Sequence, residues 1–232
     1  MATTDQVHTD PADFRMHVVA ESIRLFSEQG YEATPVEEVA AAAGVSRRTL
    51  FRQFRSKEDL IFADHESLLD QVSRHLDAER GPGVDPWWAV CEAAELVFAH
   101  FATMRDLAVR RYRVVAEVPA LRDRELVTTY RYQRVFEDYL RERVPQVPRV
   151  RIVAFAAAVT GAHNYLLRSM VRGDEDATGG VLHQELSALH RVVGEFVGDG
   201  PRVPTEVAVV SFPAGTSPDE VADAVRDRLT RH

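Results

Sequence analysis

Cysteine is almost missing from this chain of 232 residues, which contains only Cys91. One thiol cannot form a disulfide within the chain, and it leaves no pair of cysteines at zinc-ligand spacing. No apolar run approaches the roughly 18 residues of a membrane-spanning helix. Residues 1–10 are polar and lack the basic and apolar segments of a signal sequence. We therefore expect a cytoplasmic protein in which Cys91 is a buried, reduced side chain.

Lysine is equally scarce, and the chain as a whole is acidic. Its net charge is −8, which argues against a protein that coats nucleic acid non-specifically. One short segment, 46–57, departs from this average because it has no acidic residue. It contains five basic residues: Arg47, Arg48, Arg52, Arg55 and Lys57. Such a cluster indicates a local site for an anionic partner, although a basic helix face in isolation is more often simply solvated.

Catalytic motifs are missing as well. The sequence contains no nucleophile elbow, no phosphate-binding glycine loop and no HExxH pair. His183, Glu185 and His190 do not have the spacing of a strong metal site. We therefore expect no catalytic residue, no metal and no cofactor, and we do not expect an enzyme.

Hydrophobic residues make up 45% of the chain and recur mostly at the spacing of buried helix faces. This pattern predicts an all-α protein with helices over residues 13–29, 35–43, 46–54, 57–79, 86–104, 106–118, 119–144, 150–171 and 181–197. We expect a disordered leader (1–12), a helix-turn-helix domain (13–60), a helical ligand-binding and dimerisation domain (61–198) and a C-terminal extension (199–232). The extension differs in kind, because residues 206–212 predict a short strand and residues 217–229 a short helix.

The helix-turn-helix is predicted from two helix starts that lie close together. Thr34 is interpreted as the N-cap of the first helix, with Pro35 at its first position and Glu37 completing a capping box. Gly44 suits the left-handed position that ends this helix, and Ser46 is interpreted as the N-cap of the next. A turn of only a few residues that contains a glycine is typical of the motif.

The second helix of the motif has two faces that suit DNA recognition. Leu50, Phe51 and Phe54 are expected to form its buried face, and Arg48, Arg52 and Arg55 the opposite face. Arginine is well suited to bond guanine in the major groove, so Arg48 is the first candidate for base reading and Arg47 the second. The predicted DNA-binding set is Thr34, Ser46, Arg47, Arg48, Thr49, Phe51, Arg52, Gln53 and Lys57. Within it, Thr34 and Lys57 are expected to hold phosphates at helix N-termini.

A family resemblance rests on many of these positions together. They are Gly30, Thr34, Val39-Ala40, Ala43-Gly44-Val45-Ser46, Thr49-Leu50-Phe51, Phe54 and Ser56-Lys57-Glu58-Asp59-Leu60. This pattern, over roughly residues 14 to 62, resembles the DNA-binding domain of TetR-family repressors. The resemblance implies an all-helical dimer with three N-terminal DNA-binding helices and a helical body, whose last two long helices form a four-helix dimer interface. Phe51 stands where the family often has a phosphate-binding tyrosine, and Arg48 where it often has glycine.

The body of the chain resembles the family less closely. Residues 110–143 are similar to an actinobacterial group that includes the mycofactocin regulator, some members of which respond to acyl-CoA. Aromatic and polar residues of the body predict a ligand pocket lined by Trp88, Phe98, Phe101, Met104, Tyr112, Phe136, Tyr139, His163 and Asn164. For any single one of these residues, a place in the ordinary core is the more common role.

These expectations together predict a cytoplasmic, homodimeric transcriptional regulator. It would act as a repressor that binds a palindromic operator in double-stranded DNA. A hydrophobic or acyl-type small molecule, such as an acyl-CoA, would release it from the operator. Two alternatives stay open from the residues. One is a helical enzyme or carrier whose basic helix binds an anionic ligand, and the other is a DNA-binding adaptor that responds to no ligand.

Overall fold

The computed structural model describes residues 11–197, which form nine helices and no strand. The helices are α1 (Pro11–Gln29), α2 (Val36–Ala42), α3 (Arg47–Gln53), α4 (Asp59–Ala78), α5 (Pro86–Thr103), α6 (Arg105–Glu117), α7 (Pro119–Arg143), α8 (Arg149–Val171) and α9 (Gly179–Val197). The predicted all-α class is confirmed. The predicted strand and helix of the C-terminal extension lie outside the described residues, and so does most of the predicted leader.

The first four helices share a hydrophobic core with α6 and the start of α7. The core joins side chains such as Ile23 and Phe26 of α1, Leu50 of α3 and Leu121 of α7, all of them almost fully buried. Helix α1 packs against both α4 and α6. The short helices α2 and α3 could not be stable alone at seven residues each. They are held in place because their apolar sides belong to this common core.

The remaining helices form a bundle around α8. Helices α5 and α7 both pack against it. Each of these two helices begins with a proline, which suits the first turn of a helix. The Asp85 carboxylate caps α5 by accepting hydrogen bonds from the backbone N–H groups of Trp87 and Trp88. By length and composition α8 could cross a membrane. However, Phe155 and Val159 are buried among its neighbours, as in the core helix of a folded domain.

Helix α4 belongs to both halves of this fold. Its first turns pack against α1, and further along it packs against α5 and α7 of the bundle. At the junction, Asp64 of α4 forms a buried ion pair with Arg111 of α6. This junction therefore connects the bundle to the N-terminal helices, which include α2 and α3.

Candidate DNA interface and ligand pocket

The turn between α2 and α3 is held by its own backbone. Gly44 has a φ of +66°, a left-handed value that glycine adopts without strain. The N–H of Val45 donates to the Ala40 carbonyl at 2.9 Å, and Gly44 donates to Ala41 at 3.1 Å. The Ser46 hydroxyl then accepts from the Thr49 N–H at 3.1 Å. The predicted roles of Gly44 and Ser46 are confirmed, and they fix the direction in which α3 leaves the turn.

The predicted start of α2 is wrong. The helix begins at Val36, Pro35 occupies the capping position, and no side chain caps it. Thr34 is completely buried, and its hydroxyl donates to the Gly30 carbonyl at 2.8 Å. A phosphate could not reach this side chain, so its predicted DNA contact is also wrong. Glu37 completes no capping box and pairs instead with Arg47 at 3.0 Å.

Helix α3 buries a narrower stripe than the sequence predicts. Leu50 is buried and so is Phe54, its C-cap residue, but Phe51 is 45% exposed. Successive residues on a helix are about 100° apart, so Phe51 turns away from the stripe that Leu50 defines. The predicted packing role of Phe51 is therefore wrong. Its ring lies beneath the Arg47 guanidinium, 5.3 Å from the ring centroid, on the surface of the domain.

The exposed face of α3 and the residues just after it carry cations that are unpaired among the described residues. Arg48 and Arg52 of α3 and Arg55 after it are exposed, and their guanidinium groups have no ion-pair or hydrogen-bond partner within residues 11–197. Arg47 differs from them because Glu37 and Phe51 hold it. Thr49 and Gln53 are half-buried at the edge of the same face. The arrangement concentrates positive charge on one short helix and the segment that follows it, which suits contact with phosphates and base edges.

Lys57 is not part of this free charge. Its ammonium group donates to the Tyr31 carbonyl. It also lies over two rings, 4.4 Å from the centroid of Tyr31 and 5.4 Å from that of Phe26. These contacts tie the segment between α3 and α4 to the end of α1, a role that the sequence did not predict, and the phosphate contact of Lys57 stays a prediction.

Replacing Lys57 by methionine should lower the free energy of unfolding by about 1–2 kcal/mol, because a charge-assisted hydrogen bond and cation–π contacts are lost. Chemical denaturation measures this loss. Arg55→Met is the matched control, since its guanidinium has no partner among the described residues, and its expected effect is below about 0.5 kcal/mol. If Lys57→Met left stability unchanged but reduced the salt dependence of DNA binding, Lys57 would be a phosphate contact after all.

A cavity of about 90 Å³ lies within the bundle, among helices α4 to α8. Five of the nine predicted ligand residues line it: Phe101, Tyr112, Phe136, His163 and Asn164. Apolar side chains such as Phe62, Val97 and Leu167 line it as well, together with charged and hydroxyl side chains. The structure therefore brings part of the predicted set together around one cavity.

The other four predicted residues do not line the cavity. Trp88 donates its indole N–H to Glu92 at 2.9 Å and lies near α9, and the Tyr139 hydroxyl donates to the Glu79 carbonyl at 2.9 Å. Phe98 is fully buried core, and Met104 lies at the turn from α5 to α6. Their assignment to the pocket is corrected. Helical spacing shows that a residue faces inward, but it does not distinguish a cavity wall from a filled core.

A polar group of residues that the sequence did not reveal lies at the side of the cavity nearest α4. His65, Arg111 and Tyr132 line the cavity, and Asp64 lies behind them. Arg111 donates to His65 Nε2 at 3.5 Å, and Nδ1 of the same ring lies 3.1 Å from the Tyr132 hydroxyl. Burial lowers the pKa of His65 to about 4, so the ring is neutral near pH 7. Charged residues at the inward positions of α4 and α6 were the signal that could have revealed this group.

Cys91 is fully buried on α5, as predicted, and burial raises the pKa of its thiol to about 12. A protonated, enclosed thiol is a poor nucleophile and metal ligand. Among the residues that the structure describes, no group of histidine, cysteine and carboxylate side chains could hold a metal ion.

The N-terminal helices are similar to those of a known protein family. Residues 18–63 match the family model described as bacterial regulatory proteins, tetR family. The match includes α2, α3 and the turn between them. It therefore covers the surface on which the free arginines lie.

Two relatives with curated names extend the likeness. The transcriptional regulator HbdR of Aromatoleum sp. (strain CIB) is 29% identical over 46% of this chain and 48% of its own length. MftR of Mycobacterium tuberculosis, named as a candidate mycofactocin biosynthesis regulator, is 26% identical over 55% of this chain and 64% of its own. The chain thus matches about half to two-thirds of the length of these relatives. Both are named as regulators of transcription, not as enzymes.

A solved structure has the same fold over most of the described chain. FadR from Bacillus subtilis, crystallised with stearoyl-CoA, superposes with a TM-score of 0.57 and 17% sequence identity. The superposition covers 75% of this chain and 96% of that one. Its likeness therefore extends from the N-terminal helices into the bundle that contains the cavity.

Proposed function

Because this chain belongs to the TetR family of bacterial regulatory proteins, we propose that it is a cytoplasmic, homodimeric repressor that a small hydrophobic molecule releases from its operator. The observation that carries the proposal is the exposed face of α3. Arg48 and Arg52 stand there, Arg55 follows directly after the helix, and none of the three guanidinium groups has a partner within residues 11–197. Gly44 and Ser46 fix the direction of the helix. In this proposal residues 13–60 read the DNA and residues 61–198 sense the ligand and form the dimer.

Symmetric binding would require two copies of α3 in successive major grooves. The half-sites would be about one helical turn apart, ~34 Å, and the operator would be palindromic. Helices α8 and α9 are the proposed dimer surface. Large apolar side chains are exposed on them, including Val150 and Tyr165 of α8 and Val192 of α9. A second copy would remove these side chains from water.

Release of the repressor from its operator would begin with a ligand that binds in the cavity. Its volume of about 90 Å³ is below the roughly 300–1,000 Å³ of pockets that hold a drug-sized ligand. A larger apolar ligand, such as the acyl chain bound by FadR, would therefore have to part the helices around the cavity. Such a ligand binds the widened state better than the closed one, which is the condition for shifting the equilibrium between two states. Because α4 borders the cavity and packs against α1, widening would alter the spacing of the two α3 helices.

Gel-shift titration with the DNA upstream of the protein's own gene tests the proposal. We expect a sequence-specific shift by a dimer, and a loss of that shift when the effector is added. Native mass spectrometry of the protein as purified identifies a bound effector. A dimer that binds this DNA but never responds to a candidate ligand would be a ligand-independent adaptor. The absence of any sequence-specific shift, on this DNA or in selection from random sequences, would contradict the regulator itself.

A further inference from the structure

Three buried polar atoms on residues that line the cavity have no hydrogen-bond partner among the described residues. They are Nε of Arg111, Nε2 of His163 and the hydroxyl oxygen of Thr160. His163 and Thr160 are both on α8, three positions apart and so on one face of the helix. Each of these two residues is only 7% exposed. A buried polar group without a partner is destabilising, so this wall of the cavity favours an occupant that supplies the missing hydrogen bonds.

The hydrogen bond to Asn164 decides which kind of partner His163 needs. His163 Nδ1 lies 3.1 Å from Asn164 Oδ1. A carboxamide oxygen can only accept, so Nδ1 carries the proton. Burial lowers the pKa of His163 to about 4, and the ring is therefore neutral near pH 7. In that tautomer Nε2 has no proton and can only accept a hydrogen bond.

The charges that line the cavity are already paired. Arg111 is bound to Asp64, and the Arg168 guanidinium lies 3.2 Å from the Glu125 carboxylate. The remaining ionisable lining groups are His65 and His163, both neutral, and the tyrosines. An anionic ligand would have to compete with Asp64 or Glu125 for its cation. A neutral ligand leaves both ion pairs intact and avoids the cost of burying a charge.

Within the ligand-sensing function proposed above, we propose that the effector is an uncharged and largely apolar molecule whose hydroxyl or N–H group donates a hydrogen bond to His163 Nε2. Thr160 provides a second hydrogen-bond partner one turn earlier on the same helix. The free carboxylate of a fatty acid is disfavoured in this cavity, because the two arginines that line it are already paired with Asp64 and Glu125. His163 thus selects ligands that carry a hydroxyl or N–H donor.

Binding of four benzene derivatives to the full-length protein near pH 7 tests this inference, with isothermal titration calorimetry as the measurement. Phenol is a neutral donor, benzaldehyde a neutral acceptor of similar polarity, toluene has no polar group, and benzoate is anionic. We expect phenol to bind about three- to tenfold more tightly than benzaldehyde, the value of one hydrogen bond. Benzoate should bind most weakly. Equal binding of phenol and benzaldehyde, tighter binding of benzoate, or no binding by any probe overturns the inference.

The variant His163→Leu connects the preference to this side chain. It should remove the advantage of phenol over benzaldehyde while toluene still binds. His17→Leu is the matched control, because His17 is exposed on α1, away from the cavity, and its replacement should leave the preference unchanged. A preference that persists in His163→Leu also overturns the inference. Since no DNA is present, failure here is separate from failure of the proposed function, which the gel shift alone decides.

Discussion

Replacing Arg111 by methionine should lower the free energy of unfolding by about 3–5 kcal/mol, the largest effect that we expect from a single change in this chain. The substitution leaves the Asp64 carboxylate, whose side chain is 2% exposed, without its cation. Burying an unpaired charge is costly, whereas a methionine can fill much of the space of the arginine stem. Urea denaturation followed by circular dichroism measures the difference.

An exposed ion pair between neighbouring helices provides the control. Arg131 of α7 binds Glu66 of α4 at the surface, where the two side chains are 43% and 49% exposed. Water already solvates both charges, so Arg131→Met should cost no more than about 1 kcal/mol. The double variant Asp64→Leu/Arg111→Met should recover most of the lost stability, because no charge stays buried. If Arg111→Met and Arg131→Met lowered the free energy of unfolding by equally small amounts, the buried pair would stabilise the fold no more than the exposed pair does.

The same pair predicts a dependence on pH. Burial is the largest single influence and would raise the pKa of Asp64, but the Arg111 charge, together with the neighbouring His100 and His65, outweighs it and holds that pKa below the usual range. The contribution of Asp64 is therefore fully present above the unfolded pKa of about 3.9 and decreases as the pH falls below it. We expect the wild-type protein to lose stability below about pH 4 more steeply than the double variant. Parallel pH profiles would contradict the lowered pKa.

Replacing Arg48 by alanine should weaken binding to the operator by about 1–3 kcal/mol, which corresponds to a roughly 5- to 150-fold loss. Arg48 is exposed on α3 and has no partner within the described residues, so its guanidinium is available to a guanine edge without first breaking an ion pair. The base preference at one operator position should relax at the same time. Fluorescence anisotropy with the operator, and with copies altered at single positions, measures both effects.

Binding to random DNA distinguishes base reading from a general charge effect. Arg48→Ala should cost less on random DNA than on the operator, because only a phosphate contact is sequence-independent. Arg141→Ala is a control in the bundle: its guanidinium pairs with Asp138 on α7, away from α3, and operator affinity should not change. An equal loss on operator and random DNA would show that Arg48 contacts phosphate only.

Local sequence signals were sufficient where the hydrogen-bond partner was close in the chain. Gly44 and Ser46 act through bonds to residues within five positions, so their roles could be predicted. Thr34 was predicted wrongly, and the anchoring role of Lys57 was not predicted, because local spacing does not show burial or distant partners. Thr34 turned out to be enclosed, and Lys57 reaches Tyr31, 26 positions away.

In the bundle, too, the sequence predicted part of the ligand site, and distant contacts decided the rest. Amphipathic spacing correctly placed Phe101, Phe136 and His163 on inward faces. It could not place Trp88 or Tyr139, whose polar atoms bond elsewhere. A cavity is the space that several helices leave unfilled, and it depends on their relative rotation. No single helix carries that information.

The sequence by itself determined the all-α class, the helix order and the basic helix α3, because helix periodicity, caps and turn residues act over a few positions. Only the tertiary structure decided which cations are free and which groups face a cavity. It pairs Arg111 with Asp64 across 47 positions and ties Lys57 to Tyr31, while Arg48 stays unpaired within the described residues. Ion pairs, burial and cavities depend on how distant segments meet, and that geometry is set by the packing of the whole core.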